Sequence, residues 1–212
     1  MAIRESSDLL RPSLIGAGGH AKVVYSALEV AVRNRIEIRA DSTGTLQSFR
    51  GQRIHHPAVL GDMRDRTVHV AIGDNMVRLA ISNAAVAAGA SLFNVISRTA
   101  AIDESADLAT GCFIASGAIV AADAKIGSVA IVNHGAIVDH DATVGLGAHV
   151  APGAVIGGGV ELGSAVLLGA GATVLPSIRI GAGAVIGAGS IVTKHVPDGA
   201  KWIGTRLIDF AE

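Results

Sequence analysis

The chain of 212 residues is half hydrophobic yet only 3% aromatic, with 27 glycines, so its apolar mass comes from Val, Ile, Leu and Ala rather than from large rings. A formal charge of −1 excludes the electrostatic footprint of a nucleic-acid binder, and no basic run suggests a membrane surface. One cysteine, Cys112, excludes an intramolecular disulfide framework and fits a reducing compartment.

The opening stretch MAIRESSDLLRPS lacks the apolar core of a signal peptide, and the chain reads as cytoplasmic. Residues 13–17 form a short apolar run ending in GAGGHA, and KVVYSALEVAVRN then has helical apolar spacing, which predicts strand, glycine turn and helix. Residues 37–41 read as a second strand ending at Asp41, and residues 55–62 as a loop holding Pro57. Residues 67–72 read as a strand running into Gly73, Asp74 and Asn75; residues 76–88 follow as a helix with Arg78 in its first turn. Residues 93–96 are the last strand of this part. A β-α-β-α-β order predicts a small α/β domain with a parallel sheet over residues 1–97. Gly16, Gly18 and Ala21 fit the G-x-G-x-x-G/A fingerprint, with Asp41 downstream. Such a turn lets phosphate approach backbone N–H groups at a helix N-terminus. The stretch before the repeats has room for only half a dinucleotide fold, which argues against a complete NAD site.

From residue 102 to 192 the chain repeats every six residues. All sixteen first positions are aliphatic, from Ile102 and Leu108 through Val138 and Val144 to Ile186 and Val192. The fifth position is small, chiefly alanine, and glycine crowds the second and fourth. A period of six fits neither a helix nor simple alternation. It fits a short strand and a corner per hexad, with the aliphatic inside, the small residue in the corner and glycine at strained corner angles. Three sides close a coil of eighteen residues, so residues eighteen apart stack at strand spacing, roughly 4.8 Å. The reading is a parallel β-helix over residues 98–197, with residues 198–212, which hold the only tryptophan, as a cap over the open sheet edge. Cys112 falls on a corner-filling position and reads as a buried structural thiol. The uncharged run from 142 to 160 is not a membrane span, because its glycines and Pro152 keep the six-residue phase.

The densest chemistry is NHGAIVDHDATVGLGAH, residues 133–149. His134 and His140 occupy third positions on adjacent faces, outside the aliphatic interior. Asp139 and Asp141 flank His140. A carboxylate accepting one ring N–H fixes the tautomer and leaves the other nitrogen as a base. The zinc-binding γ-class carbonic anhydrases share such coils but carry two histidines five apart; here the spacings are six and nine.

The repeat run resembles the hexapeptide-repeat acyltransferases, which fold as left-handed parallel β-helices and work as trimers. GAGGHAKVV, AIGDNMVR and the hexads together resemble the bacterial sugar O- and N-acetyltransferases, among them the sialic acid O-acetyltransferases and the N-acetyltransferases of nucleotide-linked 4-amino sugars. By that resemblance Gly16, Gly18, Gly19 and His20 face the nucleotide phosphates or sugar, Asp41 lies near base or ribose, and Gly73, Asn75 and Arg78 line the same cleft. Members of the group carry a pair of acids after the second strand, where this chain has Ala40, Asp41 and Ser42. The resemblance makes His140 the general base, Asp141 its orienting acid, and Asn133 and His149 contacts to the reacting groups. Acetyl-CoA is the implied cosubstrate, with no metal. Gly158 or His149 would face the tetrahedral oxygen, Ala170, Gly187 and Ala188 the pantetheine arm, and Lys194 a phosphate. The expected activity is acetyl transfer to the amine of a nucleotide-linked 4-amino sugar, such as GDP-perosamine or a UDP-4-amino-dideoxy sugar, by a homotrimer with sites between subunits. Sugar O-acetylation and a non-catalytic, nucleotide-sensing β-helix are the alternatives.

Overall fold

The computed structural model describes residues 10–40 and 48–208, which fall into two units, residues 1–95 and 96–212. Asp41, expected near base or ribose, lies outside the described residues.

In the first unit, strands β1 (Pro12–Ile15), β2 (Glu37–Arg39), β3 (Ser48–Phe49), β4 (Gln52–His55), β5 (Thr67–Val70) and β6 (Ser91–Leu92) form one sheet in the order β3-β4-β2-β1-β5-β6. All pairs are parallel except β3 with β4. β1 and β5 are buried along their whole length, as a parallel strand covered on both faces must be. The helix expected after the glycine turn is broken into α1 (Gly19–Ala27) and α2 (Val30–Arg33). Leu28 is extended at the break, and Arg33 donates to the carbonyls of Leu28 and Ser26 at 2.7 and 2.9 Å, satisfying the oxygens that the interruption frees. Helix α3 (Asn75–Ala87) starts at an Asp74 cap, whose side chain accepts the Val77 N–H at 2.9 Å. The β3–β4 hairpin turns through Arg50 and Gly51, both at positive φ, as a two-residue hairpin loop requires. Of the strand expected over residues 93–96 only residues 95–96 are strand, and they are the first strand of the coils; the sheet of the first unit ends earlier, at β6.

The chain enters β1 at the middle of the sheet, leaves to β2 on one side and later returns to β5 on the other. The carboxyl ends of β1 and β5 therefore mark the topological switch point, where open α/β sheets leave a crevice.

In the second unit a two-residue strand recurs every six residues, seventeen times from β7 (Val95–Ile96) to β23 (Ile191–Val192). Strands three apart pair in parallel with residues eighteen apart opposed, for example Ile137 with Val155. Three sheets result. The first takes β7, β10, β13, β16, β19 and β22, the second β8 through β23, and the third β9 through β21, each by every third strand. First-position aliphatics and fifth-position small residues fill the interior as one continuous core, Cys112 among them with no exposure. Strand β24 (Lys201–Ile203) extends the first sheet and β25 (Arg206–Ile208) folds back on it. Trp202 is buried there, its indole N–H shared between the Ile191 and Gly204 carbonyls.

The two glycine channels have different causes. Every fourth position from 111 to 189 has a positive φ, and five of these hold residues other than glycine: Asp123, Val129, Asp141, Ala165 and Ser177. Second-position glycines need no special angle. A Cβ on Gly163 would lie 2.5 Å from the backbone nitrogen of Ala182 in the next coil, so there the demand is for space.

Candidate active site

His140 stands at the corner between β14 (Ile137–Val138) and β15 (Thr143–Val144), on the edge joining the second and third sheets. Its side chain is 62% exposed. Asp141, at the following left-handed corner with φ 60°, brings Oδ2 to 2.8 Å from His140 Nδ1. A carboxylate only accepts, so Nδ1 carries the proton and Nε2 keeps its lone pair. The Asp141 hydrogen bond, followed by the charge of Asp139, holds the imidazole pKa above its ordinary value, against a smaller desolvation effect. Asp139 also accepts the His140 backbone N–H at 2.8 Å, fixing the peptide from which the ring projects.

One coil further on, the Gly159 N–H donates to the His140 carbonyl at 2.9 Å. A Cβ on Gly158 would fall 2.6 Å from both Cε1 and Nε2 of His140, so the ring lies against bare backbone and only glycine leaves it that seat. Among the described residues the Gly158 N–H meets no acceptor.

His134 occupies the equivalent corner one face earlier, exposed, with Gly135 in the place that Asp141 takes after His140. Its N–H donates to Asn133 Oδ1 at 2.9 Å, and Asn133 Nδ2 lies 3.1 Å from His149 Nε2. His149 belongs to β16 (His149–Val150) of the first sheet. Thus one chain gathers His140, Asp141 and Gly158 on one edge, with exposed Lys194 following β23 at its far end. Asn133, His149, Ala170, Gly187 and Ala188 belong to the first sheet and the edge after it, separated from His140 by the second sheet. Among the described residues no three His, Cys, Asp or Glu side chains gather as metal ligands.

A feature that the sequence reading passed over is the outward face of the second sheet. Its sixth positions are Ala101, Ile119, Ile137, Val155, Thr173 and Ile191, with Ile119 and Ile191 more than 40% exposed. The same positions on the third sheet are Asp107, Lys125, Thr143, Glu161 and Arg179, the last two an ion pair at 2.9 Å. Sorting the sixth positions by every third hexad would have exposed this contrast.

In the first unit Gly16, at φ 125°, turns the chain after β1; a Cβ there would meet the Ala71 carbonyl oxygen at 2.8 Å. Gly18 caps α1, and a Cβ on Gly18 or Gly19 would meet no atom within 4 Å, so the protein's own packing does not demand glycine at either. Gly73 lies beside His20, 3.8 Å from a built Cβ to the His20 Cβ, which joins the two glycine turns at the switch point. Arg78 is 1% exposed; it donates to the Ile72 and Gly73 carbonyls at 2.9 and 3.1 Å and to Asn75 Oδ1 at 2.8 Å. Its guanidinium braces the loop from Ile72 to Asn75.

Comparison with known proteins follows the same division. Residues 13–85 match the PglD N-terminal domain, and residues 159–194 match the bacterial transferase hexapeptide model. No curated protein sequence matches. Among solved structures, PerB from Caulobacter crescentus, in complex with CoA and GDP-perosamine, is 34% identical with a TM-score of 0.83, covering 93% of this chain and 97% of that one. A mutant of the GDP-perosamine N-acetyl transferase from Caulobacter crescentus, also with CoA and GDP-perosamine, is 33% identical with a TM-score of 0.83, covering 93% and 96%. The acetyltransferase domain of PglB from Neisseria gonorrhoeae, in complex with acetyl coenzyme A, is 28% identical with a TM-score of 0.84, covering 95% and 100%. With both units matched and this identity sustained over nearly the whole length, the chain belongs to the hexapeptide-repeat sugar acetyltransferases that carry a PglD-type amino-terminal domain.

Proposed function

We propose that the protein moves acetyl from acetyl-CoA to the amino group of a nucleotide-linked 4-amino sugar, with His140 as general base. The observation that carries this reading is the His140–Asp141 pair seated against Gly158 at an exposed edge. The amine attacks the thioester carbonyl and loses its proton to Nε2 of His140; Asp141 stabilises the imidazolium that forms. The tetrahedral oxygen needs a preorganised donor, and the Gly158 N–H stands beside the base for that role. As the carbon–sulfur bond breaks, the proton on His140 goes to the departing thiolate, so base and proton return to their starting state.

The nucleotide would lie at the switch point of the first unit, its phosphates against Gly18 and Gly19 at the start of α1. The bare surface at those glycines supports this, as does the binding of GDP-perosamine by the similar Caulobacter proteins. Arg78 and Asn75 act there by holding the loop, and Asp41 is retained as a contact to base or ribose.

The working form is a homotrimer with sites between subunits. Two observations support it: the second sheet presents an apolar outer face, and the expected site residues are divided between two edges of one chain. Packing copies around a threefold axis brings one copy's His140 edge toward a neighbour's His149, and Ala170, Gly187, Ala188 and Lys194 then flank one intersubunit groove for the coenzyme. No helix among the described residues is long and apolar enough to cross a membrane. Acetyl-CoA as cosubstrate implies a cytoplasmic site of action.

The test is thiol release from acetyl-CoA with a panel of nucleotide-linked amino- and hydroxy-sugars. Release with a 4-amino sugar such as GDP-perosamine is expected. Release only with hydroxylated sugars would make the protein an O-acetyltransferase, and no release with any sugar would leave a nucleotide-sensing module.

A further inference from the structure

Asn133 was expected to touch the reacting groups, yet it is only 7% exposed and both ends of its amide are engaged within the protein. The His134 backbone N–H donates to Oδ1 at 2.9 Å. That contact decides the orientation of the amide, because the flipped rotamer would set the NH₂ group against another N–H donor. With Oδ1 fixed on the main chain, Nδ2 must be the atom that faces His149 Nε2 at 3.1 Å. An amide nitrogen only donates, so Nε2 of His149 must accept. An imidazole whose Nε2 accepts is neutral and carries its proton on Nδ1.

We propose that Asn133 is a positioning residue that holds His149 as the neutral Nδ1–H tautomer, making Nδ1 the ring's only donor. This rests on the acetyltransferase reading for its catalytic meaning: with Nε2 engaged by Asn133 and the proton on Nδ1, His149 cannot compete with His140 for the amine proton. The two histidines are set to opposite tasks by the residue each meets. A carboxylate on Nδ1 leaves His140 with a free Nε2 lone pair, while an amide on Nε2 leaves His149 with an Nδ1–H. The backbone supports the division, because Asn133 and Asp139 occupy the same hexad position and each accepts the N–H of the histidine that follows it.

The test is long-range ¹H–¹⁵N correlation on the full, ligand-free protein labelled at histidine, with the His149 signals assigned by their loss in His149→Gln. The expected pattern at neutral pH is that of an Nδ1–H imidazole. In Asn133→Asp the carboxylate facing Nε2 is expected to draw a proton onto that nitrogen, turning the pattern to Nε2–H or to the imidazolium. An Nε2–H or doubly protonated His149 in the unaltered protein would overturn the proposal, as would an unchanged pattern in a folded Asn133→Asp. If that variant does not fold, the spectrum of the unaltered protein decides alone. Where transfer is measurable, Asn133→Asp is expected to lower kcat by a factor on the order of 10² with KM for acetyl-CoA changed less than about threefold. Because the spectrum needs no turnover, a tautomer lock in a protein that transfers no acetyl group would sink the activity reading and leave the lock standing.

Discussion

Asp141 is held at a backbone angle that costs a residue other than glycine about 1–2 kcal/mol, at a corner where most hexads use glycine. Aspartate is among the residues that tolerate the left-handed region best, and from there its carboxylate reaches the preceding ring. The strain is therefore tied to a specific contact with the candidate base. That contact holds the His140 pKa up, so if His140 is the base it is protonated, and idle, at the acid end of the working range. The rate should rise with pH through a value above the ordinary 6.5 of histidine. In Asp141→Asn the main cause of the raised pKa is removed, and the acid limb of kcat/KM should move to lower pH while the plateau falls on the order of 10-fold or more. A pH–rate profile of the two proteins checks the direction; a limb that stays in place would detach Asp141 from the base.

His69 in β5 shows the opposite environment. It is fully buried, and burial, opposed by its bond to the Phe93 carbonyl at 3.1 Å and reinforced by the charge of Arg78, lowers its pKa to about 4. The folded state thus refuses a proton that the unfolded chain takes up near 6.5. Stability from this residue is complete above that value, declines as the pH drops, and is lost once it passes about 4. His69→Asn, which keeps a donor toward Phe93, should flatten the loss of denaturant midpoint of the first unit between neutral and acid pH; an equally steep loss in the variant would place the acid sensitivity elsewhere.

At the scale of elements, the coils were legible because each hexad repeats the same environment, so sixteen aliphatics and the corner alanines all report one interior. The glycines were legible as a pattern but not as causes. Gly163 has no room for a Cβ against the backbone of Ala182, whereas Gly183 at φ 68° has room but a left-handed angle. Gly163→Ala should therefore cost about 2–3 kcal/mol by forcing two coils apart, and Gly183→Ala about 1 kcal/mol by backbone strain alone. Chemical denaturation of the two variants checks the order, and equal costs would contradict it. The β3–β4 hairpin was not legible, since its strands span two and four residues and its turn uses Arg50 as well as glycine. The break between α1 and α2 was hidden for a related reason. The apolar spacing runs on through it, and the Arg33 side chain that satisfies the freed carbonyls comes from beyond the break.

At the scale of the whole molecule, His140 and His149 look like neighbours when the chain is read in sixes, but read in eighteens His149 lies in the first sheet and His140 at the edge joining the second and third. On the proposed reading a single chain holds two half-sites, and the apolar second sheet between them is the surface that a neighbouring copy would cover. His140→Ala and His149→Ala each remove one half, and each should be slow by a factor on the order of 10² or more. If the site is shared, a trimer mixed from the two variants regains one intact pairing. The decisive measurement is therefore acetyl transfer to a nucleotide-linked 4-amino sugar after the two inactive variants are unfolded and refolded together. Activity well above the sum of the separately refolded variants, approaching about a third of the normal sites in each mixed trimer, is the predicted result. Activity no greater than that sum would contradict a base on one copy working with a donor on the next.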